Sequence, residues 1–117
     1  MGQSEKSFGQ HYLVEMIGCD PEKIKYVQDV EKVLLQAAKK SQATIVKSFF
    51  HQYEPYGVTG IILISESHFS VHTWPEDSYA AFDILTCGEM FPERAIEELK
   101  LNFQAKEVRT KIITRGF

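Results

Sequence analysis

Apolar and polar positions change period several times along this chain, and each change marks an element. Phe8 to Ile17 is rich in β-favouring residues (Tyr12, Leu13, Val14, Met16, Ile17) and stops at Gly18-Cys19-Asp20-Pro21, a strand running into a helix start. Asp20 suits a cap and Pro21 the first helical position. From Ile24 the apolar residues fall at Val27, Val30, Leu34 and Ala37 or Ala38, opposite Lys23, Lys25, Glu31, Lys32 and Lys39, which predicts a helix covering one face of a sheet. Ala43 to Tyr53 is β-branched and aromatic, Pro55-Tyr56-Gly57 punctuates it, and Val58 to Ile64 follows as the second arm of a long hairpin. Two more strands are expected over Phe69 to Trp74 and Tyr79 to Leu85, separated by the turn residues Pro75 to Ser78.

Pro92 opens a second helix, with Glu93 in its first turn and Ala95, Ile96, Leu99 and Phe103 on one face. The last segment alternates, Val108, Thr110 and Ile112 against Arg109 and Lys111, so a half-buried strand is expected there. The summed order, β-α-β-β-β-β-α-β, predicts an α+β two-layer sandwich with two helices on one face of a largely antiparallel sheet.

The length of 117 residues suits a single domain, 1–117. An apolar share of 44% with 25% charged residues excludes a disordered chain, and a net charge of -3 without a Lys/Arg run argues against nucleic acid. Cys19 and Cys87 lie far apart in no C-x-x-C arrangement, so neither a zinc ribbon nor a disulfide framework is indicated and a reducing cytoplasmic setting is expected. Met1-Gly2-Gln3-Ser4-Glu5-Lys6 has no signal-peptide core or myristoylation pattern, and no apolar run is long enough for a membrane span; the chain is read as soluble.

The polar residues that stand out lie between Thr59 and Cys87, where apolar strands also carry serines, a glutamate and two histidines. The plain structural reading makes Ser65 to His68 a turn and His72 and Cys87 satisfied core residues. A zinc site is one alternative, from His68 and His72 four apart with Glu66 and Cys87, though H-E-x-x-H is absent. A serine hydrolase using Ser67, His72 and Asp83 is another, without a G-x-S-x-G elbow.

Ser65-Glu66-Ser67-His68, then His72-Thr73-Trp74-Pro75-Glu76, then Tyr79-Ala80-Ala81 and Thr86-Cys87-Gly88 resemble the bacterial and archaeal S-adenosylmethionine decarboxylase proenzymes. Gly9-Gln10-His11, Gly18-Cys19-Asp20 and Pro55 to Gly60 extend the likeness from Phe8 to about Ile113. The resemblance implies that Ser67 Oγ attacks the carbonyl of Glu66, splitting the chain into a β chain, 1–66, and an α chain, 67–117, that begins with a pyruvoyl group made from Ser67. Such a cut calls for a strained turn and an oxyanion donor.

By the same resemblance Thr59 assists processing, His72 is its base, and Cys87 is the proton donor in decarboxylation, a role that demands a thiol rather than a thiolate. The pyruvoyl ketone forms a Schiff base with the substrate amine and takes up electrons as carbon dioxide leaves. Tyr53 and Trp74 match aromatic positions that stack on the substrate, and Glu76 a carboxylate that accepts from ribose hydroxyls; no metal is implied. The expected product is the aminopropyl donor for spermidine synthesis, made by a homodimer with sites at the subunit interface. Gln10, Thr59 and Asp77-Ser78 depart from the family pattern. Pyruvoyl-dependent arginine or ornithine decarboxylation, or a non-cleaving binding or regulatory relative, therefore stays open as an alternative.

Overall fold

The computed structural model describes residues 5–117, so the reading of Met1 to Ser4 lies outside it. Six strands form one sheet: β1 (Ser7–Ile17), β2 (Ile45–Gln52), β3 (Val58–Ile64), β4 (Ser67–Trp74), β5 (Tyr79–Thr86) and β6 (Glu107–Gly116). Their order is β2-β3-β4-β5-β1-β6, and every neighbouring pair is antiparallel. Helices α1 (Val27–Lys40) and α2 (Pro92–Phe103) pack together and supply Val30, Leu34, Ala37, Ala38, Ala95, Leu99 and Phe103 to the core. The fold is the expected α+β arrangement, with a fully rather than largely antiparallel sheet.

Alternation along the strands decides which residues meet the helices. Val14 and Met16 of β1, Ile62 and Ile64 of β3, Phe69 and Val71 of β4, and Ala80, Phe82 and Ile84 of β5 are all buried in one cluster. Phe82 stacks on Phe103 of α2, with centroids 6.0 Å apart. Each such large side chain contributes about 1.5–3 kcal/mol through burial. The opposite face of the sheet meets no other layer among the described residues. It exposes Phe49, Ile61 and Leu63 (68%, 44% and 49%) beside a polar group of His11, His68, Ser70 and Asp83.

The first helix begins later than its sequence pattern predicts. Asp20 and Pro21 do start a helical turn, but it is a single 3-10 turn, Pro21–Lys23, in which Asp20 accepts from the Glu22 N–H at 3.0 Å. Beyond it the carbonyls of Ile24 and Lys25 are drawn sideways, to the Thr73 hydroxyl at 2.8 Å and to the Gly57 N–H at 2.8 Å. Turned toward those partners, the two carbonyls do not start the i to i+4 ladder, whose first bond runs from the Val30 N–H to the Tyr26 carbonyl. The helix starts at Val27, where the Gln52 side chain accepts the first N–H at 2.7 Å. The tie between α1 and the β2–β3 hairpin thus replaces a local cap.

β6 departs from expectation as well. Val108 is partly buried, but Thr110 and Ile112 are exposed, because they border an open groove beside Tyr12, Glu93 and Ile96. Among the described residues no helix is long and apolar enough to cross a membrane.

Candidate active site

Two separate groups of polar side chains lie at the two ends of β4. The first is built on the turn before it. Ser65 and Glu66 form a two-residue connection between Ile64 and Ser67, which face each other across the β3–β4 ladder. Ser67 has φ +150°, a backbone conformation that an L residue rarely adopts, so strain is stored at the residue after the Glu66–Ser67 bond. The carbonyl oxygen of Glu66 accepts two hydrogen bonds from one residue, the Cys87 N–H at 2.9 Å and the Cys87 thiol at 2.9 Å. The Ser67 hydroxyl lies 3.7 Å from the same sulfur. A carbonyl held by two donors, with a hydroxyl on the adjacent residue, is arranged for attack at carbon with the developing charge already met.

Five residues further along β4, about 16 Å at strand rise, lies the second group. Thr59 pairs with His72 across the ladder, and its hydroxyl is 3.0 Å from His72 Nδ1. Trp74 stacks on Tyr79 at 5.3 Å and remains 40% exposed; Tyr53 is 48% exposed. A hydrogen bond with Glu15, and then burial, push the Tyr79 phenol up to about 12, so it stays neutral beneath Trp74. Tyr53, Tyr56, Thr59, His72, Trp74 and Glu76 line a cavity of about 320 Å³.

Of the expected site residues, Glu66, Ser67 and Cys87 come together at one end, and Tyr53, Thr59, His72, Trp74 and Glu76 at the other. The plain structural reading of His72 and Cys87 as core residues does not stand, since both are exposed. The hydrolase grouping does not assemble either. Asp83 is bonded to His11 at 2.5 Å, to His68 at 3.2 Å and to Ser70, and has no contact with His72. Burial works to raise the Asp83 carboxyl, but the hydrogen bonds from Ser70, His11 and His68 outweigh it and hold the group below its usual range. His68 and His72, four positions apart on one strand, stand about 13 Å apart and cannot share a zinc ion.

Sequence reasoning missed the partners of the turn. Thr44 and Gly88 touch Glu66, and only Gly88 lay inside a motif that drew attention. His11 was visible as part of Gly9-Gln10-His11, but nothing in its spacing announced that it would meet Asp83 across the β1–β5 ladder.

Comparison with known proteins gives the family. Residues 10–116 match the family profile described as S-adenosylmethionine decarboxylase. The S-adenosylmethionine decarboxylase proenzyme of Thermotoga petrophila is 49% identical over 112 residues, 95% of this chain and 86% of the relative. The proenzyme of the same name from Pyrococcus abyssi is 41% identical over 111 residues, 94% of this chain and 80% of the relative. The crystal structure of the adenosylmethionine decarboxylase from Aquifex aeolicus superposes with a TM-score of 0.87 at 34% identity, covering 96% of this chain and 93% of that one. With motifs, fold and relatives in agreement over nearly its whole length, the chain belongs to the S-adenosylmethionine decarboxylase family.

Proposed function

We propose that this chain cuts itself between Glu66 and Ser67 into 1–66 and 67–117, carries the resulting pyruvoyl group at residue 67, and decarboxylates S-adenosylmethionine as a homodimer with shared sites. The observation that carries the reading is the Glu66 carbonyl gripped by both Cys87 donors beside a strained Ser67. Attack of Ser67 Oγ on that carbonyl carbon forms an ester and breaks the peptide C–N bond, whose nitrogen takes up a proton and stays as the amine of residue 67. The Cys87 N–H and thiol stabilise the oxyanion on the way. Loss of the Ser67 α-proton then expels the Glu66 carboxylate, and hydrolysis of the remainder releases ammonia and leaves the ketone.

His72 is the base for that proton, with Thr59 turning its ring through Nδ1. Within one chain it lies about 16 Å from Ser67, too far for proton transfer. A second copy resolves this. A two-fold axis lying between two open sheet faces, across the strands, sets the His72 end of one subunit against the Ser67 end of the other, and covers the exposed Phe49, Ile61 and Leu63.

Once formed, the pyruvoyl ketone supplies the electron sink for the carbanion left by carbon dioxide. The chain's own residues do the rest. Trp74 and Tyr53 offer faces to adenine and to the sulfonium cation, and Glu76 accepts from the ribose hydroxyls. Cys87 returns a proton to the product carbon, consistent with a thiol that already donates to an oxygen at this position. The aromatic lining of the cavity of about 320 Å³ suits a flat adenine and disfavours ornithine, which has no flat group to stack; against arginine, whose guanidinium also stacks, it is family membership that favours the nucleoside.

Intact-mass measurement of the purified protein tests the reading. Two polypeptides dividing between Glu66 and Ser67, the second with a pyruvoyl terminus, are expected, and Ser67→Ala should remain one inactive chain. A wild-type preparation that decarboxylates S-adenosylmethionine while uncut refutes it, as does cleavage persisting in Ser67→Ala.

A further inference from the structure

The turn that carries Ser67 is tied to a segment with no part in the chemistry above. Thr44, in the α1–β2 connection, holds it at two points: its carbonyl accepts from the Ser65 N–H at 2.9 Å, and its N–H donates to Glu66 Oε1 at 3.1 Å. On the way to Thr44 the Glu66 side chain crosses Gly88. A Cβ at position 88 would meet Glu66 Cγ at 2.5 Å and Cβ at 3.2 Å. Gly88 has no positive φ, so its backbone does not demand glycine; the space left by the missing side chain is what Glu66 uses.

Glu66 is therefore anchored on both sides of its Cα. Its carbonyl is fixed to the end of β5 through Cys87, and its carboxylate to the α1–β2 connection through Thr44. A peptide plane held at one point can still swing; held at two it presents its carbonyl carbon to Ser67 Oγ in one orientation, which a strained intramolecular attack needs. We infer that the Glu66 carboxylate, passing over Gly88 to the Thr44 N–H, is a positioning group for self-cleavage, an inference that rests on the self-processing read above.

The test follows disappearance of the full-length chain with time after cell-free synthesis, by mass spectrometry, for wild type, Glu66→Ala, Glu66→Gln, Gly88→Ala and the Glu66→Ala/Gly88→Ala double variant. Losing a hydrogen bond to a charged group should slow Glu66→Ala about tenfold or more. Glu66→Gln keeps an acceptor oxygen and should stay within about threefold of wild type. Gly88→Ala should slow cleavage about tenfold where Glu66 is present and add little in the Glu66→Ala background, because the clashing side chain is then gone. Thermal denaturation of each variant in a Ser67→Ala background checks that the fold is kept.

Rescue by Gln together with this non-additivity supports positioning, since a general loss of stability produces neither. Cleavage of Glu66→Ala at the wild-type rate overturns the inference. So does a Gly88→Ala defect of equal size with and without the Glu66 side chain. A wild-type chain that never cleaves brings down the functional reading itself, and is thereby told apart from failure of the positioning role alone.

Discussion

Splitting the two end groups of β4 between subunits makes a quantitative prediction for mixed dimers. Ser67→Ala removes the proposed nucleophile from one end of the strand and His72→Ala the proposed base from the other, about 16 Å away. Each homodimer has the same lesion in both sites and is inactive. If the sites are shared, a mixed dimer concentrates both lesions in one site and leaves the other with an intact Ser67 and an intact His72. Random pairing at equal amounts makes about half the dimers mixed, each with one working site, so about a quarter of wild-type activity should return. The assay is carbon dioxide release from S-adenosylmethionine after co-expression, with size-exclusion chromatography to confirm dimers and mass spectrometry to count cut chains. About a quarter of all chains should be processed, every one carrying the His72→Ala change. If each site is confined to one chain, every mixed dimer has one site without the serine and one without the base. Activity at background from folded, mixed dimers would therefore refute the shared-site argument.

Two other perturbations have signs set by the geometry. Trp74→Ala removes the exposed ring stacked on Tyr79; at about 1–3 kcal/mol per stacked base, KM for S-adenosylmethionine should rise roughly 5- to 150-fold with a smaller change in kcat, and an unaltered KM refutes the stacking role. Asp83 is held below its usual range in the folded chain, so its ionised form stabilises the fold; that contribution is complete above the unfolded carboxylate pKa of about 4 and is lost as pH falls through the lower folded value. In the uncut Ser67→Ala background, added Asp83→Asn should lower Tm at neutral pH, and the gap should close on acidification below about pH 4. A gap that persists or widens in acid would show that the network does not depend on the Asp83 charge.

What the chain revealed about itself follows the range of the interactions involved. Helix α2 and the strand alternation rest on neighbours within a few residues, so Pro92, Leu99 and Phe103 announced one and the run from Val58 to Ile64 the other. The start of α1 depends on Gln52 of β2, Gly57 of the β2–β3 connection and Thr73 of β4, all remote in sequence, and local signals at Asp20 and Pro21 were spent on a shorter turn. β6 alternates as a half-buried strand does, but how far α2 reaches across it is a matter of packing rather than period. At the site, the motifs singled out eight residues, which the fold gathers into two groups at the ends of β4. What they concealed is spatial: Ser67 and His72 stand close in sequence, and an extended strand turns that closeness into separation.

The order of strands carries a last consequence. The N-terminal piece of a chain cut after Glu66 owns β1, β2 and β3, and the C-terminal piece owns β4, β5 and β6, yet in the sheet they interleave, with β1 wedged between β5 and β6 and β3 zipped to β4. Neither fragment can leave without unravelling ladders on several fronts at once. The proposed cut between Glu66 and Ser67 would thus expose a fresh terminus where chemistry can use it while the woven halves remain a single body, making covalent continuity dispensable once folding is done.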